Sequence, residues 1–350
     1  MLIFALIASR LPFMANVLIG EEGTHAYLVL GPRPVINGDD ALFLARLDGK
    51  DILLFVDRNV LIYQFLDVVG RGIGQILPSC REFTMACVSL HARFPFLAIF
   101  LGGLAVAFLG VRRHLAFDRP WMLAAQMLVF LYLCTTPLLV GGSIQPQIDG
   151  ALGVLIVATA AALLLSVQEH DKTYRTVAAA FLAGMAGALG KNEWAIALAA
   201  SAGTVIVLLA GLTLIAQPEH RDWNSLRRGL ALCVAVIAGI VACQGLLYLY
   251  SPRTFLAGIN VMFRIAGLKL SIVDQIARSW DVVYPVYLAS ALSLILIALR
   301  LRAYCLTRPA LVILTGWAAL TVIGYTYSGF SGDGFPRYLS EVSGDLLGRC

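Results

Sequence analysis

The chain has 350 residues, of which 59% are hydrophobic and 13% charged, with 26 Lys and Arg against 21 Asp and Glu for a net charge of +5. Its mean hydropathy is +0.83. Soluble domains carry about 25% charged residues, so this composition excludes an ordinary soluble globular domain and makes lipid the expected solvent for most of the chain. The modest positive charge carries no nucleic-acid signal, because basic residues in a membrane protein are sorted first by topology.

A helix needs about 20 mostly apolar residues to cross the hydrocarbon layer. In chain order, the segments that meet or approach this are Met1 to Gly20, interrupted by Arg10, then Phe94 to Val111, Pro120 to Ile148 and Gly150 to Gln168. They continue with Thr176 to Gly190, which is short, and with Trp194 to Pro218, Gly229 to Pro252, Val282 to Leu299 and Pro309 to Gly332. About nine spans are expected, in one membrane domain covering residues 1–350. No basic region precedes the first segment and no small-residue cleavage site follows it, so it reads as a retained helix rather than a signal peptide.

Loop charge sets the orientation. Arg112, Arg113 and Arg119, then Lys172 and Arg175, then Arg221, Arg227 and Arg228, and last Arg300, Arg302 and Arg308 fall in alternate loops, which are expected in the cytoplasm. The opposite short loops are nearly bare: Gly141 to Asp149 has no Lys or Arg, and the turn after the fifth segment has only Lys191. Residues 21–93 form the first extracytoplasmic loop in this topology, and residues 253–281 an extracytoplasmic surface region. In the latter, Leu256, Ile259, Phe263, Leu270, Val273 and Ile276 recur at helical spacing among Arg264, Lys269, Asp274 and Arg278, the pattern of a helix lying along a membrane.

Chemistry-bearing residues collect on that same outer side. Glu21 and Glu22 follow the first segment, and a carboxylate there is either a base or a solvated charge near a helix N-terminus. Arg58 opens the stretch that contains Tyr63; alone, it also reads as a solvated loop charge. Asp149 heads the fourth segment, as a helix cap or as a ligand to substrate. Lys191 interrupts the apolar hairpin Gly187-Ala188-Leu189-Gly190-Lys191-Asn192-Glu193-Trp194, where it can snorkel to lipid phosphate or bind an anionic substrate. Arg337 and Tyr338 follow the last segment; the planar fork of Arg suits phosphate, and an interfacial anchor is the other role for it.

Of the seven cysteines, Cys134, Cys233 and Cys243 sit in apolar runs. Cys80 and Cys87 can pair outside, and no Cys/His cluster has metal-ligand spacing.

The order of these landmarks resembles the glycosyltransferase C superfamily, in particular its branch of protein O-mannosyltransferases and lipid A aminoarabinose transferases. Glu21-Glu22 with Thr24 and Tyr27 is similar to the family's acidic pair after the first helix, and Arg58 to Tyr63 is similar in part to its next motif. Arg93, Pro137, Asp149, Lys191 and Arg337-Tyr338 follow in the family's order. The chain departs from the pattern in having Glu21 for the usual Asp and Asn59-Val60 for a Pro-Pro pair.

The resemblance implies an all-α polytopic bundle of the glycosyltransferase C type, with outer-face loops and surface helices, in the bacterial inner membrane. It further implies transfer of a sugar from a polyprenyl-phosphate donor to an acceptor at the extracytoplasmic face. Glu21 and Glu22 are then the catalytic carboxylates, and Arg58, Tyr63, Asp149, Lys191, Arg337 and Tyr338 the substrate-binding residues. The expected partners are the lipid-linked donor and membrane lipid. Neither the sugar nor the acceptor is specified. No cofactor and no metal ligand set is expected, although two carboxylates leave a divalent ion open. A transporter or lipid flippase would also place ionisable groups at helix ends, but it commonly shows internal repeats and midplane charges. A non-catalytic relative of the superfamily is the third possibility.

Overall fold

The computed structural model describes residues 7–8, 10, 42–47, 50–55, 93–112, 124, 151–167, 173–190, 192–215, 223–250, 252, 255–256 and 272–327. These form one β-hairpin and eight helices. The strands are β1 (Leu42–Leu47) and β2 (Lys50–Phe55). The helices are α1 (Arg93–Arg112), α2 (Gly153–Ser166), α3 (Thr173–Leu189), α4 (Asn192–Ile215), α5 (Trp223–Tyr250), α6 (Ile272–Leu299), α7 (Leu301–Thr307) and α8 (Pro309–Tyr327). The expected first and third spans lie almost wholly outside the described residues.

The helical expectation holds for seven of the eight helices, α7 falling in the expected loop between the last two segments, and α4 and α5 are long and apolar enough to cross a membrane. At about 1.5 Å per residue their 24 and 28 residues reach roughly 36 and 42 Å, against about 30 Å of hydrocarbon. Three helix limits differ from the apolar runs for one physical reason: a charge ends a lipid-compatible stretch without ending a helix. Thus α3 begins at Thr173 and includes Arg175, and α5 begins at Trp223 and includes Arg227 and Arg228. Likewise α6 begins at Ile272, so residues 272–281 of the expected surface region are continuous with the following apolar run rather than separate from it.

The hairpin adds a β element that the all-α expectation lacks. Leu42 pairs with Phe55 and Leu47 with Lys50, in antiparallel register. Asp48-Gly49 separates the paired Leu47 and Lys50, and Asp-Gly is a preferred dipeptide for two-residue hairpin connections.

The chain divides into two compact units, Met1–Ala158 with Leu247–Gly258 and Thr159–Leu246 with Ile259–Cys350. In the first, α1 buries Phe96, Leu97 and Phe100. An ideal Cβ built on Gly103 would lie 2.9 Å from the backbone of Leu155, so only glycine permits this approach of α1 to α2.

In the second unit, α4 packs against α3, α7 and α8, and α6 against α8. The buried stripe of α4 runs Trp194, Ala195, Ala197, Leu198, Ser201, Ala202, Val205 and Leu209. Small residues dominate its middle and let backbones come close, the route by which helices associate where lipid removes the hydrophobic drive. Gly184 of α3 lies against the backbone of Val236 in α5, and Gly239 of α5 against that of Phe181, so a side chain at either position would strike a carbonyl. Hydroxyls inside the apolar helices are satisfied locally: Thr204 donates to Ala200 O at 2.8 Å and Thr213 to Leu209 O at 2.7 Å. Ser201 is different. Its Oγ donates across to Ile313 O of α8 at 2.7 Å, with Gly316 packed over it.

Many described outward positions carry large apolar side chains. Val207, Leu214 and Ile215 of α4 and Val234 and Val241 of α5 are exposed, as are Leu288, Leu292 and Leu299 of α6. Contiguous exposed apolar surface of this kind marks contact with lipid or with another protein.

Candidate functional site

The eight residues expected to form the site, Glu21, Glu22, Arg58, Tyr63, Asp149, Lys191, Arg337 and Tyr338, lie outside the described residues. The surroundings of one of them are described. Lys191 belongs to the connection between α3 and α4, and the helix ends on both sides of it are braced by two further helices.

α3 finishes at Leu189 and α4 starts at Asn192. Trp194, in the first turn of α4, is buried with its indole against Gly190 so closely that any side chain at Gly190 would displace the ring. The indole Nε1 of Trp317 in α8 donates to Trp194 O at 3.0 Å. The same Trp317 ring lies 3.5 Å from the Cβ position of Gly187, whose other neighbour is Leu198 at 2.6 Å. From α5, Gln244 Nε2 donates to Ala188 O at 3.3 Å, taking up a carbonyl of the last turn of α3 that the helix itself cannot satisfy. Four helices therefore meet at these two helix ends, and polar groups from two of them bond one backbone carbonyl on each side, in α3 and in α4.

Glu193 is half-buried in the first turn of α4, where the helix dipole favours an anion. In sequence it follows Lys191 by two residues, which puts one cation and one anion at a single helix junction. Chemically, such a junction can accept an anionic group while an adjacent carboxylate bonds a hydroxyl.

Sequence reasoning passed over Gln244, Trp194 and Trp317. Gln244 carried a usable signal, as a lone amide inside an apolar run, because such amides commonly bond across helices. It passed over Arg10 as well, reading it only as a break in the first segment. The structure buries Arg10 completely and places its guanidinium 4.9 Å from the ring centroid of Phe100, a cation–π contact. Arg93, the landmark at the head of α1, is also buried.

Among the described residues, no group of three or more His, Cys, Asp or Glu is placed to hold a metal ion. Cys233, Cys243 and Cys305 are free and buried. Burial pushes the Cys305 thiol of α7 above its ordinary range, so it stays protonated and a poor nucleophile at neutral pH.

Compared with known proteins, the chain matches no family model, no curated protein and no solved structure.

Proposed function

We propose that the chain is a multi-pass protein of the bacterial inner membrane that transfers a sugar from a polyprenyl-phosphate donor to an acceptor at the extracytoplasmic face. The order of charged landmarks along the sequence and the exposed apolar faces of α4, α5 and α6 support this reading. The observation that carries it is the braced α3–α4 junction. Trp317 and Gln244 bond carbonyls in the helix turns on either side of Lys191, and a lysine that must meet a phosphate is best presented between rigid flanking helices.

In the transfer, the bond between the anomeric carbon and the phosphate oxygen breaks and the electron pair leaves with the lipid phosphate. The acceptor oxygen or nitrogen forms the new bond to that carbon and gives its proton to Glu21, with Glu22 beside it. General-base help of this type contributes about 10²- to 10⁴-fold. Arg58, Lys191 and Arg337 stabilise the charge gathering on the departing phosphate, and cations held in advance favour the transition state over the ground state. Tyr63, Asp149 and Tyr338 bind the sugar and the acceptor.

The test is to incubate the purified protein with a panel of labelled polyprenyl-phosphate sugars and membrane acceptors, with and without a chelator. Label passing from the lipid carrier to an acceptor supports transfer. Label crossing sealed vesicles while still joined to its carrier supports a flippase.

A further inference from the structure

The first ten residues of α6 include Asp274, Arg278 and Asp281, whereas no charge falls between Val282 and Leu299. The helix has 28 residues and so reaches about 42 Å, roughly 12 Å more than the hydrocarbon layer is thick. Where the charges stop, three aromatic rings stack along one face. Trp280 lies 6.2 Å from Tyr284 and 6.4 Å from Tyr287 between centroids, nearly parallel to the latter at 16°.

Two of these rings are exposed and the third, Tyr287, is half-buried. Trp280 is 43% and Tyr284 45% exposed. Towards the C-terminus the exposed surface of α6 continues as Leu288, Leu292, Ile295, Leu296 and Leu299, and ends at Arg300. Trp280 and Arg300 are 20 residues apart, about 30 Å along a helix, which is the thickness of the hydrocarbon layer. Aromatic rings with one polar atom concentrate where headgroups meet acyl chains, and arginine concentrates at the cytoplasmic boundary.

We infer that α6 stands across the bilayer with Trp280, Tyr284 and Tyr287 seated at the outer lipid headgroups and the Leu288 to Leu299 face in the hydrocarbon. The occupant of this face is phospholipid, because one continuous surface changes from aromatic to aliphatic to cationic over the span of a single bilayer. The ladder fixes the depth of α6, and with it the level at which α8, packed on α6, meets the outer surface. The inference rests on the membrane reading above.

It is tested with the full chain reconstituted in phosphatidylcholine vesicles whose acyl chains carry bromine either near the headgroup or near the tail. The Trp280 signal is the fluorescence difference between wild type and Trp280→Phe. A second variant, Leu292→Trp in the Trp280→Phe background, moves the probe 12 residues down the helix, about 18 Å. The inference predicts that shallow bromine quenches Trp280 at least twofold more than deep bromine, and that the order reverses at Leu292→Trp. Equal shallow quenching at both positions would mean that α6 lies flat and would overturn it. Absence of quenching at both positions in protein that floats with the vesicles would show the face covered by protein, such as a second copy, and would also overturn it. Protein that fails to float with the vesicles would refute the membrane reading itself.

Discussion

Trp317 and Trp194 are 123 residues apart in sequence, yet the indole N–H of the first bonds the backbone carbonyl of the second in a buried contact between α8 and the first turn of α4. A tryptophan so placed contributes both its packed ring and its donor. Replacing Trp317 by Phe keeps most of the ring and removes the donor, which costs about 0.6–2 kcal/mol for a hydrogen bond between membrane helices. Replacing it by Ala also opens a cavity and costs about 3–5 kcal/mol. Unfolding in mild detergent, followed by circular dichroism, should rank wild type above Trp317→Phe and Trp317→Ala lowest. Equal stability of the Phe and Ala variants would mean that the ring is not packed.

Glycines differ sharply in what they permit. Gly184→Leu places its side chain against the backbone of Val236, and overpacking of this kind costs about 1–3 kcal/mol or more because a carbonyl cannot step aside. Gly203 has open space around its Cβ position, so Gly203→Ala should be neutral or raise stability by up to about 1 kcal/mol through helix propensity. The two variants should separate by several degrees in a thermal melt. A Gly184→Leu protein as stable as wild type would rule out the close α3–α5 crossing.

Much of the helical framework is legible in the sequence because lipid imposes a single rule: apolar runs of spanning length become helices. That rule locates α1, α4 and α8 closely. It misplaces the starts of α3, α5 and α6, since Arg175, Arg228 and Asp281 limit what lipid accepts but not what a helix can contain. The hairpin at Leu42–Phe55 carries the Asp48-Gly49 signal between two apolar runs too short to span a membrane, so a reading by spanning length passes it over. The bracing of the α3–α4 junction is legible only in part: Gln244 stands out as a lone amide in an apolar run, but nothing local in Trp317 or Gln244 names a carbonyl in another helix as its partner. Lys191 itself was legible, as a charge where apolar sequence should have continued.

Cys305 offers a test of burial outside the long spans. Because its thiol is pushed up in the folded chain, the folded state holds its proton longer than the unfolded state does. The associated stability is present below the unfolded thiol value of about 8.5 and is lost as pH rises through the higher folded value. The melting temperature should therefore fall above about pH 8.5, and Cys305→Ala should flatten part of that fall. Maleimide labelling of Cys305 should be slow at pH 7 in the folded protein and fast once it is unfolded. Rapid labelling of the folded protein would contradict the burial.

The proposed orientation rests on the distribution of Lys and Arg among the short loops. A reporter fused after Arg113 or after Arg228 should be cytoplasmic, and a protease site inserted near Lys50 should be cut from outside in intact spheroplasts. Protection of the Lys50 site, with the reporters exported, would invert the topology and move Lys191 and Arg337 to the wrong side for a lipid-linked donor.

In the proposed sugar transfer, Glu21 is the base that takes the acceptor proton. The direct measurement is the rate of label transfer from a polyprenyl-phosphate sugar by wild type, Glu21→Gln and Glu21→Asp, with the fold of each verified by its melt. Glu21→Gln keeps the shape and loses the proton acceptor, so its rate should fall by about 10²-fold or more. Glu21→Asp restores the residue usual in the superfamily but withdraws the carboxylate by one methylene, and should retain partial activity. Equal transfer by wild type and Glu21→Gln would contradict the assignment of the base, and no transfer by wild type from any donor of the class would contradict the proposed function.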